Sequence, residues 1–403
     1  MEQEDKKALT GLRILDLADE KASFCSKLLA DMGAEVIKIE RPGGDESRTA
    51  GPFWGNKQHP EKSLSFWYHN TSKLGITLNL DCEEGQRLFH RLAQNTDVVV
   101  ESFTPGHLDK LGMGYQTLSA LNPGLIMASV TGFGQDGPHR KYRTCDIVAS
   151  AMGGQMSVCG APDTPPIKPY GHQPYYVAAL FAATGILLTL RQRRQSGQGQ
   201  HIDISLQEAV AATLDHVMVR YFYEGIVSNR QGSRHWNDSF CILPCKDGHI
   251  LLSPSMEWDT LVDLLDNEGL AVDLKEEIWH KEGYRTQHFD HIIQILQRWT
   301  SNHTTAELFE LGQLMRLPWA PVASPADVAD SPQLSARDFF VSIAHPEADA
   351  SFTYPGAPYR FNRSPWNIQR RAPLIGEHNA RIYAAELGLS KDEIDGLAAR
   401  NVI

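Results

Sequence analysis

Short apolar runs alternate with segments of helical apolar spacing over the first third of the chain. The runs predicted as strands are Leu12–Leu17, Glu35–Ile39, Ile76–Leu80, Val98–Val100 and Leu125–Val130. Between the first two strands, Phe24–Met32 carries apolar residues at the spacing of an amphipathic helix. Strands that alternate with helices are typical of a parallel, doubly wound sheet, whose ligands bind beyond the carboxyl ends of the strands. The pattern therefore predicts an α/β fold.

The longest apolar stretch of the chain is Tyr170–Leu190. It contains Pro174, which suits the first turn of a helix because its missing N–H would be unpaired there. The apolar run after this proline carries Thr184 and Gly185 and is shorter than the roughly 20 residues that a membrane span needs. We therefore predict a buried core helix and no membrane association.

The second half of the chain predicts a smaller α+β domain. A helix is expected from Gln207 to about Tyr223, followed by a polar linker at Asn229–Ser239. Cys241–Ser253 has the pattern of a β-hairpin that turns at Asp247–Gly248. The further predicted elements are helices at Trp258–Leu265, His291–Trp299 and Lys391–Ala399 and a strand-like stretch at Ala344–Phe361.

The composition of the chain limits the kinds of partner and the cellular compartment that we expect for it. The chain has 38 Lys and Arg residues against 49 Asp and Glu residues, and the resulting net charge of −11 argues against a nucleic-acid partner. The residues after Met1 are acidic and polar, without the basic and then apolar pattern of a secretory signal, so we expect a cytoplasmic protein. The six cysteines form no Cys-x-x-Cys pair, so we predict reduced thiols and no metal site.

Two loops suggest phosphate binding, and each has a plainer interpretation. Gly132–Gly137 matches the Gly-x-Gly-x-x-Gly pattern of dinucleotide sites and follows a predicted strand. Pro138 and a basic segment stand where the phosphate-binding helix should begin, which favours a simple glycine turn. The loop Arg41–Arg48 offers two guanidinium groups to an anion, or forms ordinary solvated surface.

Several stretches together resemble the family III CoA-transferases, a group that includes formyl-CoA, carnitine and benzylsuccinate CoA-transferases. The runs that carry the resemblance include GLRILDL, LLADMGAEVIKIERPGGDESR, LNPGLIMASVTGFGQDGP and GILLTLRQRRQSGQGQHIDISLQEA, in the order the family has them. The resemblance implies a large Rossmann-type domain built from residues 1–224 and 326–403 and a small domain with linkers at residues 225–325. It also implies an interlocked dimer, with a coenzyme A thioester as substrate and no separate cofactor.

The resemblance also implies a nucleophile that this chain lacks. In the family an aspartate attacks the acyl-CoA, giving a mixed anhydride and then an enzyme-bound thioester. That aspartate lies ten positions before the glycine of the GIL motif, which here is Gly185, so the position falls on Tyr175. A phenol with a pKa near ~10 does not form the anhydride, and residues 171–177 contain no carboxylate.

The resemblance also covers the loop that faces the thioester, which is altered in this chain, and the positions that bind CoA, which keep basic residues. In Ala18–Ser23 the family has Gln-Ala-Gly-Pro facing the thioester, whereas this chain has Glu20 and Lys21. The residues that fall where the family binds CoA are Arg41, Lys110 and Arg143. Asp146 matches a second acidic position of the family, and we expect it to serve as a helix N-cap.

Three functional hypotheses follow from the resemblance. The first is the non-catalytic subunit of a heteromeric, succinyl-CoA-dependent CoA-transferase, in which a homologous partner supplies the aspartate and the acceptor is an aromatic or dicarboxylic acid. QPYYVAALFAA and SLSFWYHNTSK resemble the nucleophile-lacking subunit of benzylsuccinate CoA-transferase and favour this hypothesis. The second is an α-methylacyl-CoA racemase, which needs two acid/base groups at the α-carbon. That branch has a histidine where this chain has Cys145, and it also needs the aspartate whose position Tyr175 takes, so both residues argue against this hypothesis. The third is an acyl-CoA-binding homodimer without catalysis.

Overall fold

The strands of the protein are short and most of them are buried. The computed structural model describes residues 7–235 and 237–403. Within these residues the strands are β1 (Arg13–Asp16), β2 (Glu35–Glu40), β3 (Leu74–Thr77), β4 (Val98–Glu101), β5 (Ile126–Thr131), β6 (His201–Ser205), β7 (Cys241–Pro244), β8 (His249–Leu252), β9 (Ala320–Pro321), β10 (Phe340–His345) and β11 (Ala350–Pro355).

Helices connect almost all of these strands. In the described residues they are α1 (Ser23–Asp31), α2 (Leu64–His69), α3 (Glu83–Ala93), α4 (His107–Lys110), α5 (Tyr115–Leu121), α6 (Asp146–Met152), α7 (Gln173–Ser196), α8 (Leu206–Ala211), α9 (Asp215–Glu224), α10 (Trp258–Asn267), α11 (Glu282–Gln287), α12 (Phe289–Thr300), α13 (Thr305–Leu314), α14 (Pro325–Ala329), α15 (Pro332–Ala336), α16 (Asn379–Ala385) and α17 (Lys391–Ala399). Single 3-10 turns occur at Glu46–Thr49, Trp54–Asn56, Gln155–Val158, Glu277–His280 and Pro346–Ala348.

The principal sheet is parallel and has the strand order β3-β2-β1-β4-β5-β6. This order reverses direction between β1 and β4, which is where doubly wound folds bind ligands. Val98, Val99 and Val100 of β4 have no exposed surface, as expected for a parallel strand covered on both faces. The predicted α/β fold with a Rossmann-type sheet is confirmed.

The chain divides into two compact units. The first comprises the described residues of Met1–Gln155 together with Lys168–Gly225 and Arg337–Ile403. The second comprises Met156–Ile167 and Ile226–Ala336, apart from residue 236. The second unit therefore includes a short early segment and continues beyond residue 325, where the sequence had suggested the end of the small domain.

The first unit buries apolar side chains on both faces of its sheet. One face is covered by α1, α7 and α8, and the other by α3, α5, α16 and α17. Tyr383 of α16 has no exposed surface, and its hydroxyl donates a hydrogen bond of 2.7 Å to the carbonyl of Thr77 at the end of β3. The C-terminal helices thus complete the same sheet that the N-terminal residues begin.

The second unit has its own core around an antiparallel sheet, β7-β8-β9. Its buried tryptophans include Trp299 and Trp319, whose rings meet edge to face at 5.8 Å. Gly312 lies under Trp319, where an added Cβ would come within 2.8 Å of that side chain. The predicted hairpin is observed, with Cys241 paired to Leu252 across β7 and β8.

The central helix of the first unit, α7, is longer than the apolar run that predicted it. It has 24 residues and is long and apolar enough, by length and composition alone, to cross a membrane. The sequence predicted a helix shorter than a membrane span, and the length part of that prediction is therefore wrong. Ala178, Ala182 and Ile186 have no exposed surface and pack in the core beside the sheet, which is the burial expected of a core helix.

Three local predictions differ from the structure. The helix expected from Gln207 is divided into α8 and α9, with Ala212, Thr213 and Leu214 between them. The strand-like stretch near Ala344 is a hairpin, because the chain turns at Pro346–Ala348 and β10 pairs with β11 in antiparallel fashion. For the helix after Ile76–Leu80 the sequence predicts Asp81 as a plausible N-cap. In the structure the N-cap of this helix, α3, is Cys82, whose sulfur accepts from the Gly85 N–H.

The Gly132–Gly137 loop is a glycine turn without a following helix. The Gly134 N–H donates to the Thr131 hydroxyl at 3.0 Å, and the Gln135 N–H donates to the carboxylate of Asp203 at 2.8 Å. Two of the N–H groups that would bind a pyrophosphate are therefore already bonded within the protein. The structure does not support a dinucleotide site in this loop.

Candidate functional site

The position expected for the nucleophile lies in a small, narrow cavity. Tyr175 is near the start of α7 and is only 6% exposed. The cavity has a volume of about 10 Å³. Its lining residues are Glu20, Phe24, Ser65, His69, His172, Tyr175 and Tyr176. Side chains fill this part of the molecule almost completely.

The phenol of Tyr175 is kept protonated by its surroundings. Burial raises its pKa far above the ordinary value, and the nearby carboxylates of Glu20 and Asp19 raise it further. The ring of Tyr175 stacks on His172 with 5.5 Å between ring centroids and 10° between planes. Such a phenol is a poor nucleophile at neutral pH, because nucleophilic attack would require its anion.

A carboxylate does reach this cavity from another loop. Glu20 lies between β1 and α1 and lines the cavity together with Tyr175. Burial raises the pKa of Glu20, Asp19 raises it further, and His172 opposes the shift. The resemblance places the altered loop and Tyr175 on the two loops closest to the chemistry, and the structure brings Glu20 and Tyr175 into the lining of one cavity.

Hydrogen-bonded aromatic residues close the cavity. The Nδ1–H of His69 donates to the carbonyl of Ser65 at 2.8 Å, and its Nε2 accepts from the hydroxyl of Tyr176 at 3.1 Å. Phe24 packs edge to face on Tyr176 at 4.9 Å. Because burial lowers the pKa of His69 to about 4, this imidazole is neutral at physiological pH.

Asp146 does not play the capping role expected of it. The N-cap of α6 is Cys145, and Asp146 is the first residue of the helix. Its Oδ2 accepts a hydrogen bond of 2.5 Å from Lys168 and lies 3.8 Å from Nδ1 of His172. Its Oδ1 is buried and has no hydrogen-bond partner among the residues that the structure describes. The capping prediction was wrong because Lys168 holds this carboxylate instead.

A second cleft, of about 370 Å³, lies at the carboxyl ends of β1, β2 and β4. It is lined by Leu17, Asp19, Ile39, Glu40, Arg41, Asp45, Glu46, Leu78, Asn79, Leu80, Asp81, Ser102, Phe103 and His107. Arg41 approaches Glu46 at 3.5 Å and donates from its Nε to the carbonyl of Gly44. The ionisable side chains of this lining are acidic apart from Arg41 and His107, so only those two side chains favour an anionic ligand in this cleft.

Lys110 lines a third cleft, of about 500 Å³, next to the second one. Arg140 and Lys141 line this cleft as well, and His107 belongs to both clefts. Arg143 is exposed and lies outside the linings of the three cavities described so far. The structure therefore does not bring Arg41, Lys110 and Arg143 together in one cleft, and it adds two cations that sequence reasoning passed over.

Comparison with known proteins decides the family. The family model described as CoA-transferase family III matches residues 9–379. The chain belongs to CoA-transferase family III. The recognition made from the signature runs is confirmed, and the cleft-bearing sheet described above is the scaffold of this family.

Individual members of CoA-transferase family III match over nearly the whole chain. Succinyl-CoA:(R)-benzylsuccinate CoA-transferase subunit BbsE from Thauera aromatica is 34% identical over 394 residues, covering 96% of this chain and 95% of the relative. The beta subunit of succinyl-CoA–L-malate CoA-transferase from Chloroflexus aurantiacus is 33% identical over 402 residues, covering 98% of each chain. A crystal structure of a CAIB/BAIF family protein from Brucella suis has a TM-score of 0.85 and 30% identity, covering 94% of this chain and 99% of that one.

The described residues were also compared with the requirements of a metal site and of a reactive buried thiol. Among residues 7–235 and 237–403, no group of three or more His, Cys, Asp or Glu side chains is arranged to hold a metal ion. The six cysteines are free thiols, and burial raises the pKa of Cys25 and Cys241 well above the ordinary value. Thiols of this kind are inert, because the nucleophile is the thiolate.

Proposed function

We propose that this chain is the non-catalytic subunit of a heteromeric, succinyl-CoA-dependent CoA-transferase. A homologous partner subunit supplies the nucleophilic aspartate, and the acceptor is an aromatic or dicarboxylic acid of the benzylsuccinate kind. The reaction needs no cofactor beyond the CoA thioester, which is a substrate, and it takes place in the cytoplasm.

The observation that carries the proposal is the small volume of the cavity around Tyr175. About 10 Å³ is the volume at which a cavity begins to hold one water molecule. An acyl thioester is far larger, and the phenol that faces the cavity has a strongly raised pKa. Both the space and the nucleophile for an acyl-enzyme intermediate are therefore missing at this position.

Exposed apolar side chains support a partner subunit. On α7 the exposed fractions are 49% for Phe181 and 63% for Leu188, and on α9 they are 69% for Phe222 and 86% for Tyr223. Large apolar side chains left exposed on helices are surfaces that a partner subunit can cover. Two of the similar proteins are named as subunits, which supports assembly with a related chain.

The proposal keeps CoA binding on this chain through Arg41, Lys110 and Arg143. Lys110 is the best placed of them, because it faces a cleft together with two further cations. Arg41 is opposed by Glu46, and Arg143 stands on open surface. We therefore expect Lys110 to contribute most of the affinity that the three provide.

The test compares the chain alone with the chain purified together with its partner. With succinyl-CoA and benzylsuccinate as substrates, the isolated chain should give no CoA transfer, and the complex should be active. Activity that persists in the isolated chain after removal of all partner would overturn the proposal. Glu20→Gln should be measured in the same assay, because loss of such activity in this variant would assign the nucleophile to Glu20.

A matched experiment separates a subunit from a simple binding protein. A binding protein would be stable on its own and would leave partner activity unchanged when added to it. A subunit should co-purify with a homologous chain in a one-to-one ratio and be required for transfer. Full activity of the partner without this chain would contradict the proposed role.

A further inference from the structure

The aromatic groove is an open groove of about 560 Å³ in the first unit. Its lining residues come from α2, the start of α7 and β11, and they are Leu64, Trp67, Tyr68, Tyr176, Phe352, Thr353, Tyr354 and Pro355. Tyr176 lines both this groove and the cavity around Tyr175, so the two are neighbours. The volume is within the usual range of sites for small molecules.

The lining of the groove is aromatic and uncharged at neutral pH. Five of its eight side chains are aromatic rings, and none is a carboxylate, an amine, a guanidinium or an imidazole. Burial raises the pKa of Tyr68 to about 12 and raises the pKa values of Tyr176 and Tyr354 as well, so these phenols stay neutral. A charged group would lose its hydration in this groove without gaining a partner. The groove therefore suits an uncharged part of a ligand.

Hydrogen bonds inside the protein hold three of these rings by their polar ends. The indole N–H of Trp67 donates to a backbone carbonyl at 2.9 Å. The hydroxyl of Tyr176 donates to Nε2 of His69 at 3.1 Å, and the hydroxyl of Tyr354 donates to Nε2 of His345 at 2.8 Å. Because these polar ends are already bonded, what the three residues offer to a ligand is the surface of their rings.

The residue that holds Tyr354 is itself held in place. His345 has no exposed surface, and its Nδ1–H donates to the carboxylate of Glu347 at 3.0 Å. Arg371 donates to the same carboxylate at 2.7 Å. A groove whose rings are fixed before a ligand arrives loses little conformational entropy when the ligand binds.

The size of the groove favours a small molecule over a protein partner. Each side of a stable protein interface uses about 20–30 residues. Eight residues line this groove, which is too few for such an interface. Among small molecules an aromatic ring fits best, because the edge of one ring against the face of another gains attraction beyond that of the buried area.

We propose that the aromatic groove binds the aryl ring of a small acid, while the acidic groups stay outside the groove. The ligand is an arylalkyl carboxylic acid, either free or as its CoA thioester. The inference deepens the proposed function and rests on it for the choice of an acid, whereas the ring site follows from the groove alone.

Two uncharged alcohols, benzyl alcohol and cyclohexylmethanol, test the preference for an aromatic ring. Both carry one six-membered ring on the same short chain. In ligand-detected NMR titrations of the full chain, benzyl alcohol should bind about three- to tenfold more tightly than cyclohexylmethanol. Equal affinities for the two alcohols, or no binding of benzyl alcohol, would overturn the ring site.

Variants of the lining locate the bound ring. Tyr68→Leu keeps an apolar side chain but removes a ring, and should weaken the binding of benzyl alcohol at least about threefold, whereas Tyr68→Phe should bind it as the wild type does. Leu64→Glu places a charge in the lining and should weaken binding about tenfold. Its matched control is Leu121→Glu on α5, because Leu64 and Leu121 are 37% and 44% exposed. Unchanged affinity in Tyr68→Leu and Leu64→Glu would overturn the proposal.

Competition against bound benzyl alcohol identifies the ligand. Benzylsuccinate should displace it, and succinate, which has no ring, should not. Displacement by benzylsuccinate at lower concentration than by benzylsuccinyl-CoA assigns the groove to the free acid, and the reverse order assigns it to the thioester. Displacement by succinate as readily as by benzylsuccinate would overturn the proposal. Failure of both ring compounds to compete would show an adventitious additive only and would overturn it as well.

The chain purified together with its partner distinguishes a ligand from a side chain of the partner. Benzyl alcohol should bind this complex as it binds the isolated chain. Loss of binding in the complex would mean that the partner fills the groove, and would overturn the assignment to a small molecule. Because no probe is measured by turnover, an inactive complex that still binds benzyl alcohol would count against the proposed function and not against the ring site.

Discussion

The ammonium group of Lys73 donates a hydrogen bond of 2.8 Å to the carboxylate of Asp16, and neither side chain has any exposed surface. Lys73 also donates to the carbonyl of Ser23 at 2.9 Å, and Ser26 donates to the same Asp16 oxygen at 2.6 Å. Burial acts to raise the pKa of Asp16, but Lys73 and Lys38 outweigh it and hold that pKa below its ordinary value. These contacts fix the loop that carries Glu20 into the cavity.

Breaking this buried pair should cost far more stability than breaking an exposed one. We expect Lys73→Met to lower the free energy of unfolding by about 3–5 kcal/mol, because it leaves the Asp16 carboxylate buried without its main partner. The control is Lys275→Met, which removes an exposed pair with Asp266 and should cost about 1 kcal/mol or less. Urea unfolding measures both, and similar losses would mean that water reaches Asp16.

The neutral state of His69 should make the stability of the first unit depend on pH. Its folded pKa of about 4 lies below the value near ~6.5 of an unfolded chain, so the folded state binds fewer protons between these limits. The free energy of unfolding should therefore fall as pH falls from about 6.5 to 4, by roughly 2 kcal/mol between pH 7 and pH 5 for this group.

His69→Gln is the matched variant for this effect. A glutamine keeps a donor for the Ser65 carbonyl and an acceptor for the Tyr176 hydroxyl but cannot titrate. Urea unfolding at pH 7 and pH 5 should show a smaller loss in this variant than in the wild type. Equal losses in the two proteins would mean that His69 is accessible to protons in the folded state.

Restoring an aspartate at position 175 should not by itself restore transfer. In Tyr175→Asp the new carboxyl would share its cavity with Glu20, and the two like charges would raise each other's pKa. Phe24 and Tyr176 would still block the space that a thioester needs. We expect the isolated variant to show no CoA transfer from succinyl-CoA, with Tyr175→Phe as the control for folding. Transfer rates equal to those of the complete enzyme would show that Glu20 and Lys21 do not prevent catalysis.

The exposed apolar face of α7 should be needed for assembly. Leu188→Glu places a charge where we expect a partner to pack and should weaken the complex at least about tenfold without changing the melting of the isolated chain. Leu314→Glu is the control, since Leu314 is 83% exposed on α13 of the second unit. Light scattering after dilution to nanomolar concentration gives the readout. A stable wild-type monomer of about 45 kDa under these conditions would contradict an obligate assembly.

The sheet was predictable because its strands are short and continuously apolar. β4 and β5 were expected within one residue of where they lie. Val98–Val100 and Leu125–Val130 lack the alternation of polar and apolar residues that marks a half-exposed strand, so they indicate strands buried on both faces. β3 was expected two residues too late, at Ile76, because Lys73 looks polar although it is buried and Gly75 interrupts the apolar run that Leu74 begins. Buried ion pairs hide core positions from any pattern based on hydrophobicity.

The candidate site was predictable only in part, because its groups come from distant loops. The sequence identified Tyr175 and the altered loop around Glu20 separately, but only the fold brings them into one cavity. It selected Arg143, whereas the neighbouring Arg140 and Lys141 are the cations that line the same cleft as Lys110. Loop conformation decides which member of a basic run faces a cleft, and periodicity does not encode it.

The hydrogen bond between Tyr383 and Thr77 has a consequence for the order of folding. The strand β3 and the helix that covers it are separated by about 300 residues, and the whole second unit lies between them in the chain. Contacts of such long sequence separation form late, because a large loop must close before they stabilise anything. We expect the second unit to fold while the sheet of the first still has one face open to water. Until α16 and α17 dock, that open face is the part of the newly made protein most exposed to aggregation and to chaperones.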